Sequence, residues 1–286
     1  MASNGSTSYQ LQMFNRSLKK RLKVNCLCSH LGDLNGHSCL LVSCGDNNGA
    51  MNYKFREHGG QWTWADVEPD LKEEMEQLLE EPVFTANPEN LPFPAMSFDS
   101  VVAIDVHEHL KDPIPFTEEL KRVVRPGGRV IVTVPNGNSR KLATRIKLLV
   151  GMTPEVYGHE RLGYDIEELS ALLESVGLEP VSSSSYSRFF TEIIELLINF
   201  MYVKILKKKS HDVSDNHAIA PGSEEELRRV RKSFRIYALA YPIFKLMSLL
   251  DTLVFFTRGY AVVVETRLPA SFPQADEKAP APLARD

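Results

Sequence analysis

The chain has 286 residues, of which 43% are hydrophobic and 24% charged, with a formal net charge of -4. That length supports one large or two small domains around a sizeable core, and the mildly acidic balance argues against a general nucleic-acid binder. The opening MASNGSTSYQLQ is polar and lacks the apolar run of a secretory signal, so a cytoplasmic protein is expected, with membrane association left open.

In chain order, residues 10–30 read as a helical lead-in with a basic cluster at Lys19, Lys20 and Arg21. Four cysteines follow closely: Cys26, Cys28, Cys39 and Cys44, with His30 and His37 nearby. Their C-x-C-x10-C-x4-C spacing matches no common zinc pattern, so reduced thiols and no metal are expected. SCLLVS (38–43) is a short buried strand, AMNYKFREHGG (50–60) a helix closed by glycine, and QWTWADV (61–67) a strand ending in an acid. PDLKEEMEQLLEE (69–81) reads as a charged helix, PVFTAN (82–87) and FDSVVAIDV (98–106) as strands, PFTEELKRVVR (115–125) as a helix stopped by PGG, and RVIVTVPN (129–136) as a fifth strand. YDIEELSALLESVG (164–177) is a further helix, followed by strands LEPVSSSSYS (178–187) and GYAVVVETR (259–267). About seventy residues separate those last two strands, more than a compact sheet needs. The tail from Leu268 is rich in Pro and Ala and reads as disordered.

Strands alternating with helices imply a parallel sheet with right-handed crossovers. Apolar runs without strict alternation imply cover on both faces. Ligands of such sheets bind beyond the C-terminal strand ends, which here are Ser43–Gly49, Asp66–Glu68, Asn87–Asn90 and Asp105–His109. The loop in CLLVSCGDNNGAM has the shape of a nucleotide-binding turn, with glycines only at Gly45 and Gly49. Asp66, about twenty residues on, stands where an acid accepts ribose hydroxyls. The amide of Asn87 is suited to reading an adenine edge.

The stretch ENLPFPAMSFDSVVAIDVHEHL followed by ELKRVVRPGGRVIVTVPN closely resembles class I S-adenosylmethionine-dependent methyltransferases of the type 11 kind. The likeness covers about residues 38–187 and resumes at 259–267. It implies a Rossmann-like α/β fold of seven strands, the last antiparallel, and S-adenosyl-L-methionine as cofactor. It also implies Asp66 as the ribose acid, Asn87 on the adenine side where the family usually has Asp, and Asp105 beside the methionine end. The family's first loop reads approximately D-x-G-x-G-x-G. Here Leu41, Ser43 and Asn47 replace the acid, the first and the third glycine; Gly45 keeps its place and Gly49 falls two positions late. Asn tolerates positive φ, so Asn47 or Asn48 is expected to preserve the turn, while Ser43 is expected either to contact the cofactor or to narrow the loop.

Two histidines past the fourth strand are the candidate bases. His109 matches a position where the family commonly has His. His107 replaces an aliphatic residue and is the preferred base; a helix-start hydrogen bond is the competing role for His109. His159, Glu160, Arg161 and Tyr164 occupy a loop within reach of an acceptor. Between the last two strands, 188–209 and 237–256 are amphipathic, with Glu192, Glu195, Lys245 and Asp251 interrupting the apolar runs, so neither reads as a good spanning helix. Pro242 is expected to kink or start the second of them. The segment reads as a cap, a lid over an apolar acceptor, or an in-plane membrane anchor with Lys207–Lys209 and Arg228–Lys232 meeting anionic headgroups.

The expected organisation is a lead-in (1–37), a methyltransferase core (38–187), an amphipathic insertion (188–258), a last strand (259–267) and a tail (268–286). The expected activity is methyl transfer, preferentially at oxygen, to an apolar or amphipathic small molecule such as a lipid, quinone or lipid-linked sugar. The alternative is a non-catalytic relative that binds a lipid or protein partner through the insertion. The oligomeric state is not legible.

Overall fold

The computed structural model describes residues 8–45, 47–201 and 231–270. The expected basic run Lys207–Lys209, most of Arg228–Lys232 and the tail beyond residue 270 lie outside them. Seven strands form one sheet: β1 (Ser38–Ser43), β2 (Gln61–Asp66), β3 (Val83–Thr85), β4 (Phe98–Ile104), β5 (Val124–Pro135), β6 (Glu179–Tyr186) and β7 (Ala261–Arg267). Their order is β3-β2-β1-β4-β5-β7-β6. β1 pairs parallel with β2 and β4, β2 with β3, and β4 with β5, whereas β7 runs antiparallel to both β5 and β6. The order reverses at β1, and the crevice between β1 and β4 is where such a sheet takes its ligand.

Side chains of successive strand residues point to opposite faces, so each inner strand feeds two cores. Leu40, Val42, Val101 and Val132 face one side with Phe116, Leu120, Leu169 and Leu173. Those four come from α5 (Ile114–Val123) and α7 (Ile166–Ser175). Leu41, Val102 and Ile131 face the other side with Leu27, Leu31, Phe55, Trp64 and Met75, the helical ones from α2 (Leu18–Leu31), α3 (Ala50–His58) and α4 (Lys72–Leu79). This double cover explains the continuous apolar strand runs.

The lead-in is two helices, α1 (Tyr9–Arg16) and α2, broken at Ser17. Ser17 is extended and its hydroxyl accepts from the Lys20 N–H, so it caps α2. The fifth helix ends at Val123, earlier than the PGG signal suggests, and Pro126–Gly128 fall inside β5. Arg125 precedes a proline and is thereby disfavoured in helical conformation. There is no room for a Cβ at Gly128, which would sit 2.8 Å from the Arg125 carbonyl oxygen. A short helix α6 (Leu142–Leu149) lies in a stretch that gave no helical signal; it has no side-chain N-cap and buries only Ala143 and Thr144.

The insertion supplies α8 (Phe189–Phe200) and α9 (Arg231–Ser248), the latter continued by a 3₁₀ turn over Leu249–Val254. Pro242 lies inside α9 and does not start it. Asp251 fastens the insertion to itself: its carboxylate accepts the backbone N–H groups of Arg188 (3.1 Å), Phe190 (2.8 Å) and Thr191 (3.2 Å) at the start of α8. A negative group there satisfies orphan donors and opposes the positive helix end. One face of α9 meets the lead-in, where Tyr237 donates to the Arg16 carbonyl and Arg21 donates to the Tyr241 hydroxyl at 2.8 Å.

Candidate active site

A cavity of about 460 Å³ opens at the C-terminal ends of the strands, within the range of small-ligand sites. Its floor is Ser43 and Gly45 after β1, Ile104 and Asp105 after β4, and Pro135 and Asn136 after β5. Its walls come from α1 and α2 (Phe14, Lys19, Lys23), α6 (Lys147, Leu148) and α8 (Glu192, Ile198). Of the residues proposed from sequence, Ser43, Gly45, Asn47, Asp105 and His109 line it; Gly49, Asp66, Asn87 and His107 do not.

The loop after β1 is closed by its own polar side chains. Ser43 donates to Asp66 Oδ2 at 2.6 Å, and the N–H groups of Gly45 and Glu68 donate to Asp66 Oδ1, each at 3.0 Å. The Asn47 amide donates to Ser43 Oγ (2.8 Å) and to Asn52 Oδ1 (2.9 Å), while its oxygen accepts the Gly49 N–H (3.1 Å). Ser43 and Asn47, which stand where glycines were expected, therefore hold the turn by hydrogen bonding. Neither Asn47 nor Asn48 has positive φ, contrary to expectation; Gly45 (φ 56) and Gly49 (φ 84) carry the left-handed turns. Gly49 serves packing, since a Cβ there would lie 3.1 Å from Met75 Cα.

This network engages Asp66, the expected ribose acid, within the loop itself. Its side chain is buried, at 1% exposure, and its oxygens are engaged by the loop. Burial pushes its carboxyl up to about 6 even though Ser43 and two backbone N–H groups favour the ionised form. Glu68, two residues on, is exposed and lines the cavity beside Gly45, as does Asp70. Asn87, expected on the adenine side, is exposed outside the cavity and its side chain accepts the Glu89 N–H at 2.9 Å.

His107, expected to be the better base, is fully buried. Its ring packs on Phe116 and Tyr164, its Nε2 lies 3.3 Å from the Thr117 hydroxyl, and burial pushes its pKa down to about 3. It is a neutral core residue. His109 does reach the cavity; its Nδ1 lies 3.1 Å from the Gly158 carbonyl oxygen and its ring stands 4.6 Å from that of His159. Asp105 has φ 52, a conformation disfavoured outside glycine, and such strain gathers at functional sites. Its carboxylate pairs with Lys23, and although burial opposes ionisation, Lys23 holds its pKa below the ordinary value.

Several cavity groups were not assigned a functional role from the sequence. Glu192, 1% exposed, accepts from Lys19 at 3.1 Å, from Lys147 and from Ser187 at 2.8 Å. Burial would raise its pKa, but Lys147 and Lys19 bring it down to about 2. Burial keeps Lys147 below its ordinary value even so, because two ammonium groups share one carboxylate. The carboxylates of Glu192 and Glu195, three apart on an otherwise apolar helix, were the available sign: charges inside an apolar run mark a polar site within the fold.

A model of the methyltransferase domain matches residues 40–132. The ubiquinone biosynthesis O-methyltransferase of Dinoroseobacter shibae is 33% identical over 87 residues, covering 29% of this chain and 35% of that protein. The tRNA U34 carboxymethyltransferase of Idiomarina loihiensis is 28% identical over 169 residues, covering 54% of this chain and 49% of that protein. The match thus spans between about a third and a half of these relatives' length. Among solved structures, a Haloferax volcanii methyltransferase in complex with the Trm112 methyltransferase activator superposes with a TM-score of 0.55 at 14% identity, over 93% of this chain and 95% of that one. Residues 40–132 thus carry a methyltransferase domain of the class I S-adenosylmethionine-dependent kind. The cavity fits that cofactor in kind: a left-handed Gly45, the exposed Glu68 carboxylate beside it, and the Lys23–Asp105 pair are groups suited to a ligand with ribose hydroxyls, a carboxylate and an ammonium.

Proposed function

We propose that this methyltransferase transfers a methyl group to an oxygen of an apolar or amphipathic small molecule presented at a lipid surface. The observation that carries the proposal is the composition of the cavity. The polar β1 loop and apolar side chains, Phe14, Leu148, Met152 and Ile198 from α1, α6, the loop after α6 and α8, line the same cavity. S-adenosylmethionine, when bound, supplies a methyl group already activated on a sulfonium. Glu68 and Asp70 would hold its ribose and Lys23 its carboxylate. Asp105, fixed by Lys23, would orient the methionine end, and His109, where no cation occupies it, would accept or relay the acceptor's proton.

The outer face of the insertion supports delivery from a lipid surface. Ile236, Leu239, Ile243, Leu246, Leu250 and Leu253 recur at three- and four-residue steps and are exposed, Leu239 by 83%. They form one helical stripe, opposite the face that meets the lead-in. Arg235–Val254 is long and apolar enough to cross a membrane, with a mean hydropathy of 1.3. Its anchorage through Tyr237, Tyr241 and Asp251 to the lead-in and α8 favours lying in the interface.

A hydroquinone bearing a long alkyl chain in anionic vesicles should be methylated with a kcat/KM at least about tenfold above that of the same ring without its chain, since each buried methylene is worth about 0.8 kcal/mol. Leu239→Glu together with Ile243→Glu should erase that advantage while leaving turnover of the soluble ring intact. Equal rates for both acceptors, or no transfer to either, would overturn the proposal in favour of a water-soluble acceptor or of a non-catalytic binding protein.

A further inference from the structure

Glu108 lies at the edge of the cavity, fully buried, and neither carboxylate oxygen has a hydrogen-bond partner apart from its own backbone N–H. A buried carboxylate left in this state is costly unless something else occupies its lone pairs. Two histidines stand beside it. Ligand atoms of Glu108, His109 and His159 all lie within 4.8 Å of one another, and all three residues line the cavity.

The surrounding backbone clamps these groups together. The Glu160 N–H donates to the Glu108 carbonyl at 2.9 Å, joining the turn after β4 to the loop that carries His159. His109 Nδ1 lies 3.1 Å from the Gly158 carbonyl oxygen. As the donor in that bond, Nδ1 carries the proton, so Nε2 is the basic nitrogen. A histidine that gives one N–H to a backbone carbonyl and keeps the other nitrogen basic is the usual outer-shell arrangement of a metal ligand. The side chain of Asp105, three residues before Glu108, lines the same cavity with its charge balanced by Lys23.

We propose that Glu108, His109 and His159 form a binding site for a divalent first-row transition cation, zinc being the reference case, whose remaining positions face the cavity and take an oxygen of the acceptor. Two imidazoles and one carboxylate are a donor set for such ions, and three protein ligands leave coordination open. Bonds of about 2.1 Å put ligand atoms roughly 3–3.5 Å apart, so the three side chains close on the ion by small rotations. A hydroxyl on such an ion loses its proton more readily, which suits transfer to oxygen. Only this acceptor half rests on the reading of O-methyl transfer; the site itself rests on the side chains.

The test uses the full chain, freed of metal by chelator and titrated with Zn²⁺ by calorimetry and with Co²⁺ by visible absorption. One equivalent should bind, and Co²⁺ should give ligand-field bands without a thiolate charge-transfer band. Glu108→Gln and His159→Ala should each weaken binding by about 10- to 100-fold, with thermal unfolding of the metal-free Glu108→Gln variant showing an intact fold. No binding, a thiolate band from Cys26 or Cys28, or affinity unchanged in Glu108→Gln would overturn the inference. A chain that binds cofactor but no cation would retain the methyltransferase reading and lose this site; one that binds cation but no cofactor would do the reverse.

Discussion

Asp66→Ala should destabilise the fold by about 2–5 kcal/mol, because it strands a buried hydroxyl and two partly buried N–H groups at roughly 1–3 kcal/mol for each donor left fully unsatisfied. Those donors are Ser43, Gly45 and Glu68. Burial pushes the Asp66 carboxyl up to about 6 from an ordinary 3.8. A carboxyl raised in the folded state stabilises most below its unfolded value and loses that contribution as pH rises through its folded value. The Asp66 contribution is therefore largest below about pH 4 and fades through about pH 6, and Asp66→Asn should flatten that part of the stability profile. Urea unfolding across this range reads both effects. A loss below about 1 kcal/mol, accompanied by a large drop in cofactor affinity, would return Asp66 to the ribose.

Glu192→Gln should destabilise by about 2–4 kcal/mol, less than the 3–5 of a fully buried broken pair because Lys19 and Lys147 keep about a quarter of their side-chain surface exposed. The substitution leaves two ammonium groups facing each other across the cavity wall. It also unties three elements at once, since Glu192 on α8 joins Lys19 of α2 and Lys147 of α6. The pH dependence has the opposite sign to that of Asp66. Although burial opposes ionisation, Lys147 and Lys19 bring the Glu192 pKa from 4.5 down to about 2, so its contribution is present above about pH 4.5 and lost as pH falls toward 2. Wild type should lose stability across that acid window and the Gln variant should lose little more. A variant as stable as wild type at pH 7 would mean that solvent already screens the cluster.

The sheet was legible because its strands are short apolar runs with turn residues between them, and because the motif from Glu89 to Asn136 has a fixed order. The antiparallel β7 and the insertion before it followed from the resemblance together with the surplus of chain. Helix α6 escaped because eight residues with two buried side chains leave almost no periodic signal. The site was less legible for a different reason. Position along a strand shows that Asp66 sits at an end, but whether its oxygens face a ligand or the loop depends on which neighbours are serine and asparagine. Ser43 and Asn47 looked like losses of glycine; Ser43 donates to Asp66, and Asn47 braces the turn by donating to Ser43 and Asn52. His107 failed similarly, since two residues of offset within the 3₁₀ turn His107–His109 separate the buried ring from the one that lines the cavity. The buried carboxylate of Glu108 carries no sequence signature, because its lack of partners exists only once His109 and the loop at His159 are folded against it.

We infer that this cavity binds S-adenosylmethionine with Glu68 as its exposed acid. Calorimetric titration of the purified full chain tests it most directly. Wild type should bind with micromolar affinity, and Glu68→Gln should lose about 1.5–3 kcal/mol, the range for a hydrogen bond to a charged group. No heat up to millimolar cofactor, or binding that is indifferent to Glu68→Gln, would contradict it.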